Sequence, residues 1–166
     1  LAAQAVAGIV MIAPQDISAS AAFLDFDNVP VVTLSSVDTG EHTSVMYDSV
    51  EGSRIATQHL IDLGHKWIAH LAGPSGFTVS ESRVQGWRKA LAEARLVATE
   101  PFVCDWTAAS GYAVGKRLAA DNTFTAAYCA NDLIAQGLLL ALYEAGRRVP
   151  DQFSVVGFDD VPEAAF

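Results

Sequence analysis

The sequence predicts an α/β protein built on a doubly wound parallel sheet, with one nearly complete lobe and part of a second. Two observations lead there. From residue 48 onward, short apolar runs alternate one for one with stretches of helical periodicity, and such alternation gives right-handed crossovers between parallel strands. The 166 residues are 51% hydrophobic and 17% charged, enough apolar side chain to fill a core and too apolar for a disordered chain.

The elements are taken in chain order. Residues 5–13 are an apolar, β-branched run ended by Pro14, which reads as a buried strand. Residues 16–26 suit a short helix capped by Asp16 or Ser18. Asn28-Val29-Pro30 restarts extended structure, residues 31–34 form a second buried strand, 37–41 a polar loop and 43–47 a third strand. After Asp48, which suits a helix cap, Ile55, His59, Leu60 and Leu63 recur at helical spacing, and Gly64 supplies the left-handed residue that ends the helix. Residues 67–72 are the next strand, and Gly73-Pro74-Ser75-Gly76 is a loop too short to cradle a phosphate. Ser80 opens a helix through Val84, Trp87, Leu91 and Ala94. The strand 102–104 precedes a helix opened by Ser110 and running through Val114 and Leu118. The strand 125–130 precedes the most apolar helix, 133–145, which stops at Gly146. The last strand is 154–158, and beyond Pro162 no further element is legible. Residues 1–46 hold too few elements to close a sheet of their own, whereas 47–166 hold four strands and four helices. The expected division is therefore 1–46 as a partial amino-terminal lobe and 47–166 as a carboxyl-terminal lobe truncated at its end, joined near residues 45–48.

Charge and motifs exclude several functions. A formal net charge of −9, from 10 Lys+Arg against 19 Asp+Glu, argues against this segment gripping nucleic acid or an anionic membrane itself, since phosphate contacts need clustered cations. Residues 1–13 and 133–143 are both too short to span a bilayer. The chain opens on Leu1 without a basic segment or initiator Met, so it reads as a fragment, a processed product or the ordered part of something longer, with no secretory signal. Cys104 and Cys129 read as small buried thiols near the ends of central strands, which suits a reducing cytoplasm. No nucleophile elbow, Walker loop or dinucleotide fingerprint occurs. His59, His65 and His70 lack ligand-like pairing, and each reads as a structural or surface imidazole. Asp159, Asp160 and Glu163 could suggest a glycosidase, but adjacent Asp side chains diverge. No catalytic residue, cofactor or metal is expected.

The four strands of the second half each lead to a polar residue, and open α/β sheets bind ligands beyond the carboxyl ends of their strands. Arg83, Trp106, Asn131 and Asp159 should share that rim, a set suited to a small sugar. The Arg83 fork can hold two vicinal hydroxyls or a carboxylate, with an exposed surface Arg as the alternative. Trp106 can stack on the apolar face of a pyranose, or be a core or lid residue. Asn131 can donate to and accept from hydroxyls, or cap the helix after it; the neighbouring Asp132 could take the cap instead. Asp159 can accept from two hydroxyls, while Asp160 points to solvent or caps the segment after it. Tyr47, at the lobe junction, could form a pocket wall or be buried in the hinge.

Specific phrases carry a family likeness. Asp48-x3-Gly52-Ser53-Arg54, His59-Leu60-x2-Leu63-Gly64-His65, Leu71-Ala72-Gly73-Pro74 and Arg83-x2-Gly86-Trp87 resemble successive segments of LacI/GalR (lac repressor-type) regulators. So do Asp105-Trp106-Thr107-Ala108-Ala109-Ser110-Gly111, Ala130-Asn131-Asp132-x3-Gln136-Gly137, Ala145-Gly146-x-Arg148-Val149-Pro150 and Ser154-Val155-Val156-Gly157-Phe158-Asp159-Asp160. The resemblance implies a type I periplasmic-binding-protein-like core of two lobes that clamps a small effector, with a DNA-binding headpiece absent from this chain. It implies a cytoplasmic homodimer that senses a sugar and reaches DNA only through that headpiece. Sugar-responsive members carry Trp at the position of Trp106, which the resemblance assigns to stacking. Ser35 departs from the pattern, because an acid grips the sugar at that place in lac repressor-type proteins. The apolar helix 133–143 could pack on a partner or belong to the core. The rival readings are a transport-type periplasmic sugar-binding protein, distinguished by a signal peptide in place of an upstream helix-turn-helix, and a sugar-processing enzyme.

Overall fold

Strands with apolar side chains on both faces need cover on both sides, and in the computed structural model of this chain two pairs of helices supply it. The structure describes residues 6–13, 29–35 and 43–165. Strands β1 (Ile9–Ala13), β2 (Val31–Ser35) and β3 (Thr43–Met46) pair in parallel in the order β1-β2-β3, with Val32 opposite Thr43. These three described strands thus pair into a sheet separate from the one that follows, where the sequence suggests too few elements before residue 47 to close one. The predicted helix 16–26 and loop 37–41 lie outside the described residues.

A second sheet, all parallel, has the order β5-β4-β6-β7. Its elements are α1 (Ser49–Asp62), β4 (Ile68–Ala72), α2 (Thr78–Glu93), β5 (Phe102–Val103), α3 (Ala108–Ala120), β6 (Ala126–Cys129), α4 (Asp132–Glu144) and β7 (Ser154–Val156), followed by a 3-10 turn, Pro162–Ala165. The strand–helix alternation read from the sequence is therefore present, with strand ends trimmed by a residue or two where the ladder gives way to loop.

Strand parity sets the layers. Ile68, Ala126 and Tyr128 join Leu60, Trp87 and Leu91 on the side of α1 and α2. Ala69, Leu71, Ala127 and Cys129 join Val114, Leu118, Ile134, Leu138, Leu142 and Phe153 on the side of α3 and α4. Both helix pairs close on glycine. A side chain on Gly86 would run into the Val50 carbonyl and the Ser53 side chain, and one on Gly137 into the Ala108 carbonyl and Tyr112 backbone nitrogen. Cys104 and Cys129 are buried free thiols, but β4 separates their strands.

That close approach corrects the reading of α1. Of the residues read at helical spacing, Ile55 and Leu63 are 55% and 60% exposed, and the buried face is Ser49, Ser53, Thr57 and Leu60. Against Gly86 only small side chains fit, so hydroxyls took the inward positions; Ser53 Oγ and the Tyr128 hydroxyl lie 2.6 Å apart in a hydrogen bond. The caps are otherwise local. Asp48 accepts from the Glu51 backbone nitrogen at 2.8 Å, as its position suggested. Helix α2 begins at Thr78, earlier than Ser80, and α3 begins after Thr107, whose hydroxyl accepts from the Ser110 backbone nitrogen at 3.2 Å. Arg147, which no sequence motif singled out, donates to the carbonyls of Leu118, Asp121 and Phe124 at 2.9, 2.9 and 2.8 Å and so clips the end of α3 to the approach of β6.

Candidate functional site

From β4 the chain steps outward to β5 and then returns across β4 to β6 and β7. The connections on either side of the β4–β6 pair thus diverge, and the carboxyl edge of such a reversal is where doubly wound sheets leave a crevice. Four of the five candidate residues meet there.

Arg83, in the second turn of α2, is 6% exposed. Its Nη1 donates to the Ala130 carbonyl, and its Nη2 donates to Asp159 Oδ1 at 3.2 Å. The guanidinium carbon sits 4.0 Å from the centre of the Phe158 ring and 5.7 Å from that of Trp106. The Trp106 indole occupies the space that any side chain on Gly73 would need, and its backbone carbonyl accepts from Asn131 Nδ2 at 3.1 Å. Arg83, Trp106, Asn131 and Asp159 are therefore joined into one cluster from four separate strand exits. The bland alternative for Arg83, an exposed surface side chain, is excluded.

One alternative is resolved and one candidate stands apart. The helix cap, open between Asn131 and Asp132 in the sequence, belongs to Asn131, whose Oδ1 accepts from the Ile134 backbone nitrogen at 2.9 Å. Asp132 instead accepts from the Val161 backbone nitrogen at 3.0 Å and lies against Gly157, fixing the loop after β7. An amide can carry two donated hydrogen bonds, so Asn131, with its cap and its bond to Trp106 made, keeps one amide hydrogen. Tyr47 is 37% exposed and lines a separate hollow of about 330 Å³ with Met46, Asp48, Ser49 and Val50. None of the described hydrogen bonds or ring contacts joins it to the other four. Ser35 closes β2.

The rim is strained. Among the described residues, the non-glycine positions with positive φ are Arg95, Trp106 (71°), Asp159 (104°) and Asp160 (58°), three of them at this edge. Such backbone costs free energy and persists where surroundings impose it, commonly at ligand sites. Burial pushes the Asp159 carboxyl above its usual range, the Arg83 charge and hydrogen bond pull it back, and repulsion from Asp132 adds to the rise. A concavity of about 500 Å³, lined by Asp132, Gly157, Phe158, Asp159, Asp160 and Ala164, opens beside it. Another of about 500 Å³ lies among Leu139, Tyr143, Gly146, Arg147, Arg148, Val149 and Asp151. It belongs to the end of α4, at the opposite edge of the sheet; its Arg147 is taken up by backbone carbonyls and its Arg148 by Asp151, so the strand-end cluster is the better site.

Sequence reading missed two aromatic residues. Phe158, taken as the end of a strand, lies under Arg83, and a side chain on Gly52 in α1 would meet its ring at 3.0 Å. Phe77, in the loop before α2, meets the Trp106 ring edge to face at a centroid distance of 6.3 Å. Only its place just ahead of Arg83 could have drawn attention to it.

A doubly wound parallel lobe with a polar and aromatic cluster at its carboxyl edge defines the ligand-binding lobes of the periplasmic-binding-protein class. A family model described as periplasmic binding protein-like domain matches residues 57–166, and the chain belongs to this family, corresponding to the effector-binding core of its LacI/GalR branch. It is 36% identical over 146 residues to the HTH-type transcriptional repressor PurR of Pasteurella multocida, an overlap of 86% of this chain and 44% of that protein. The solved dimeric Lac repressor with an 11-residue C-terminal deletion superimposes with a TM-score of 0.88 at 34% identity, covering 98% of this chain and 61% of that one. The complex of the transcriptional regulator CelR with cellobiose gives a TM-score of 0.81 at 36% identity, covering 96% and 50%. The chain thus spans about half the length of the curated relatives it matches.

Proposed function

We propose that this chain is the effector-binding core of a LacI-type transcriptional regulator and that it holds a small carbohydrate between two lobes, 1–46 contributing to one and 47–166 forming most of the other. The observation that carries the reading is the convergence of Arg83, Trp106, Asn131 and Asp159 at one rim. Their chemistry is that of a polyol site. Asp159 accepts from hydroxyls, Arg83 and the spare Asn131 hydrogen donate to ring or hydroxyl oxygens, and Trp106 offers an apolar plate. Tyr47, at the junction of β3 and α1, would enter the pocket only in a closed arrangement of the lobes. Bound sugar favours whichever lobe arrangement it contacts better, and that differential affinity is the signal sent to DNA.

The relatives are named as transcriptional repressors, which favours a regulator over a transport-type binding protein and over an enzyme. In this reading operator contact falls to a helix-turn-helix headpiece outside this chain, and the proposed location is the cytoplasm, where such a regulator meets its DNA. The proposed assembly is a homodimer, supported by the dimeric Lac repressor among the matches and by α4, which leaves Leu133, Leu140 and Tyr143 45%, 51% and 82% exposed.

A thermal-shift screen of mono- and disaccharides on the full-length protein tests this. At least one sugar should raise the melting temperature, and Asp159→Asn, which keeps the shape of the side chain, should abolish most of that rise. A sugar-induced rise that survives in Asp159→Asn would refute the assignment of the rim.

A further inference from the structure

Arg83 is buried, yet few bonds hold it. Its Nη1 donates to the Ala130 carbonyl, its Nη2 reaches a single Asp159 oxygen at 3.2 Å, and its Nε finds no partner among the described residues. Arginine and carboxylate commonly close into a two-bond fork. This pair does not: none of the described hydrogen bonds uses Asp159 Oδ2, and 41% of the Asp159 side chain is exposed. The side chain that accounts for the open pair is Phe158. Its ring lies under the guanidinium at 4.0 Å, well inside the reach of a cation–π contact. The ring is itself fixed. The Phe158 carbonyl accepts from the Asp132 backbone nitrogen at 3.0 Å, and the ring packs against the cluster that holds Leu60, Trp87 and Tyr128. It also lies against α1 at Gly52, where even a methyl would stand 3.0 Å from it. Consecutive side chains of an extended chain point to opposite sides. The positive φ of Asp159, 104°, lets Phe158 and Asp159 address the same guanidinium.

We infer that Phe158 is a positioning residue for the effector site: it holds the Arg83 guanidinium off a closed fork with Asp159, so that an arginine donor and a carboxylate oxygen stay free for the hydroxyls of a sugar. A closed fork would satisfy both groups internally and leave the rim little to offer a ligand. The ring opposes closure, because sliding the guanidinium towards Asp159 gives up contact with a desolvated π face. Phe158 acts through Arg83, while the sugar itself lies on Trp106. The inference rests on the proposal that the rim holds carbohydrate.

Two measurements on the full-length protein test it: calorimetric titration with glucose, galactose, lactose and cellobiose, and titration of the Asp159 carboxyl followed by carbon NMR without ligand. Phe158→Leu should weaken whichever of the four sugars binds by about tenfold, while Phe158→Tyr, which keeps the ring, should stay within about twofold. In Arg83→Lys, whose ammonium cannot form a fork, Phe158→Leu should add less than about a twofold loss. The Asp159 carboxyl should titrate at lower pH in Phe158→Leu than in the unaltered protein, because a closed fork favours its charged form. Melting curves establish that each variant is folded, and Phe158→Met, which fills similar space without a ring, is the second truncation. A tenfold loss that persists in the Arg83→Lys background would mean that Phe158 touches the sugar or only fills space. An Asp159 titration that is unchanged or moves upward would mean that the fork does not close. Either result overturns the inference while leaving the sugar site standing. If none of the four sugars binds, the carbohydrate reading falls, and the Asp159 titration alone decides whether Phe158 sets the pairing.

Discussion

The two faces of the carboxyl-terminal sheet are built on different principles. The face under α3 and α4 is apolar throughout: Val114, Leu118, Ile134, Leu138, Leu142 and Phe153 fill it, with Ala and Cys from the strands. The face under α1 and α2 holds Ser49, Ser53, Thr57 and His70, all at most 2% exposed, around Trp87 and Tyr128. His70 stacks on Tyr128 at a centroid distance of 4.7 Å and lies 5.4 Å from Trp87. Its Nδ1 is 3.0 Å from the Tyr128 carbonyl, and since a carbonyl only accepts, Nδ1 carries the hydrogen and Nε2 is left a bare acceptor. Among the described residues, Ser49 Oγ, Thr57 Oγ1, His70 Nε2 and Arg83 Nε are buried without a hydrogen-bond partner. One face is optimised for packing, while the other tolerates unpaired polar groups directly behind the rim residue Arg83. The polar layer gives up stability directly behind the candidate site.

The largest effect expected from this contrast is on the apolar side. Leu138→Ala, at a fully buried position with Gly115 and its helix close behind, should cost about 3 kcal/mol in denaturant unfolding, the usual range for a core leucine. A loss under about 1 kcal/mol would mean that this face is no better packed than the other.

Acid should act through the polar side. Burial, aided by the charges of Arg83 and Arg88, lowers the His70 pKa from 6.5 to about 4 against the opposing hydrogen bond to Tyr128. The folded state therefore holds fewer protons than the unfolded state between those values, so the contribution of His70 is fully present above pH 6.5 and is lost as pH falls towards 4. That amounts to on the order of 3 kcal/mol at the acid end. His70→Leu should flatten this part of the stability-against-pH curve, leaving the carboxylate-driven loss below it. An unchanged slope would show that His70 is not the group responsible.

The smallest effect separates the faces most cleanly. Thr57→Val preserves shape and removes an unpaired buried hydroxyl, so it should be neutral or stabilise by up to about 1 kcal/mol. A loss of more than about 1 kcal/mol would give that hydroxyl a partner and weaken the contrast.

These differences also mark what the sequence could and could not reveal. Strand–helix alternation depends on periodicity and turn residues, which are local, so the four strands, four helices and shared carboxyl edge from residue 48 onward were legible. The convergence of Arg83, Trp106 and Asp159 was legible for the same reason: parallel strands deliver their exits to one edge. Side-chain partners were not. The closeness of α1 and α2 at Gly86 is a tertiary fact, and it turned Ser53 and Thr57 inward and Ile55 outward against their hydropathy. Whether Asn131 or Asp132 capped α4 depended on where the loop after β7 placed Val161, and the contact made by Phe77 depended on where the Trp106 ring lay.

The central claim is that one rim, assembled from four strand exits, holds the ligand. Crystals of the full-length protein with the sugar that gives the largest thermal shift test it most directly. The account predicts a pyranose ring within hydrogen-bond reach of Arg83, Asn131 and Asp159, with its apolar face on Trp106. A sugar lodged instead in the hollow lined by Leu139, Tyr143 and Arg148, with the rim empty, would contradict it.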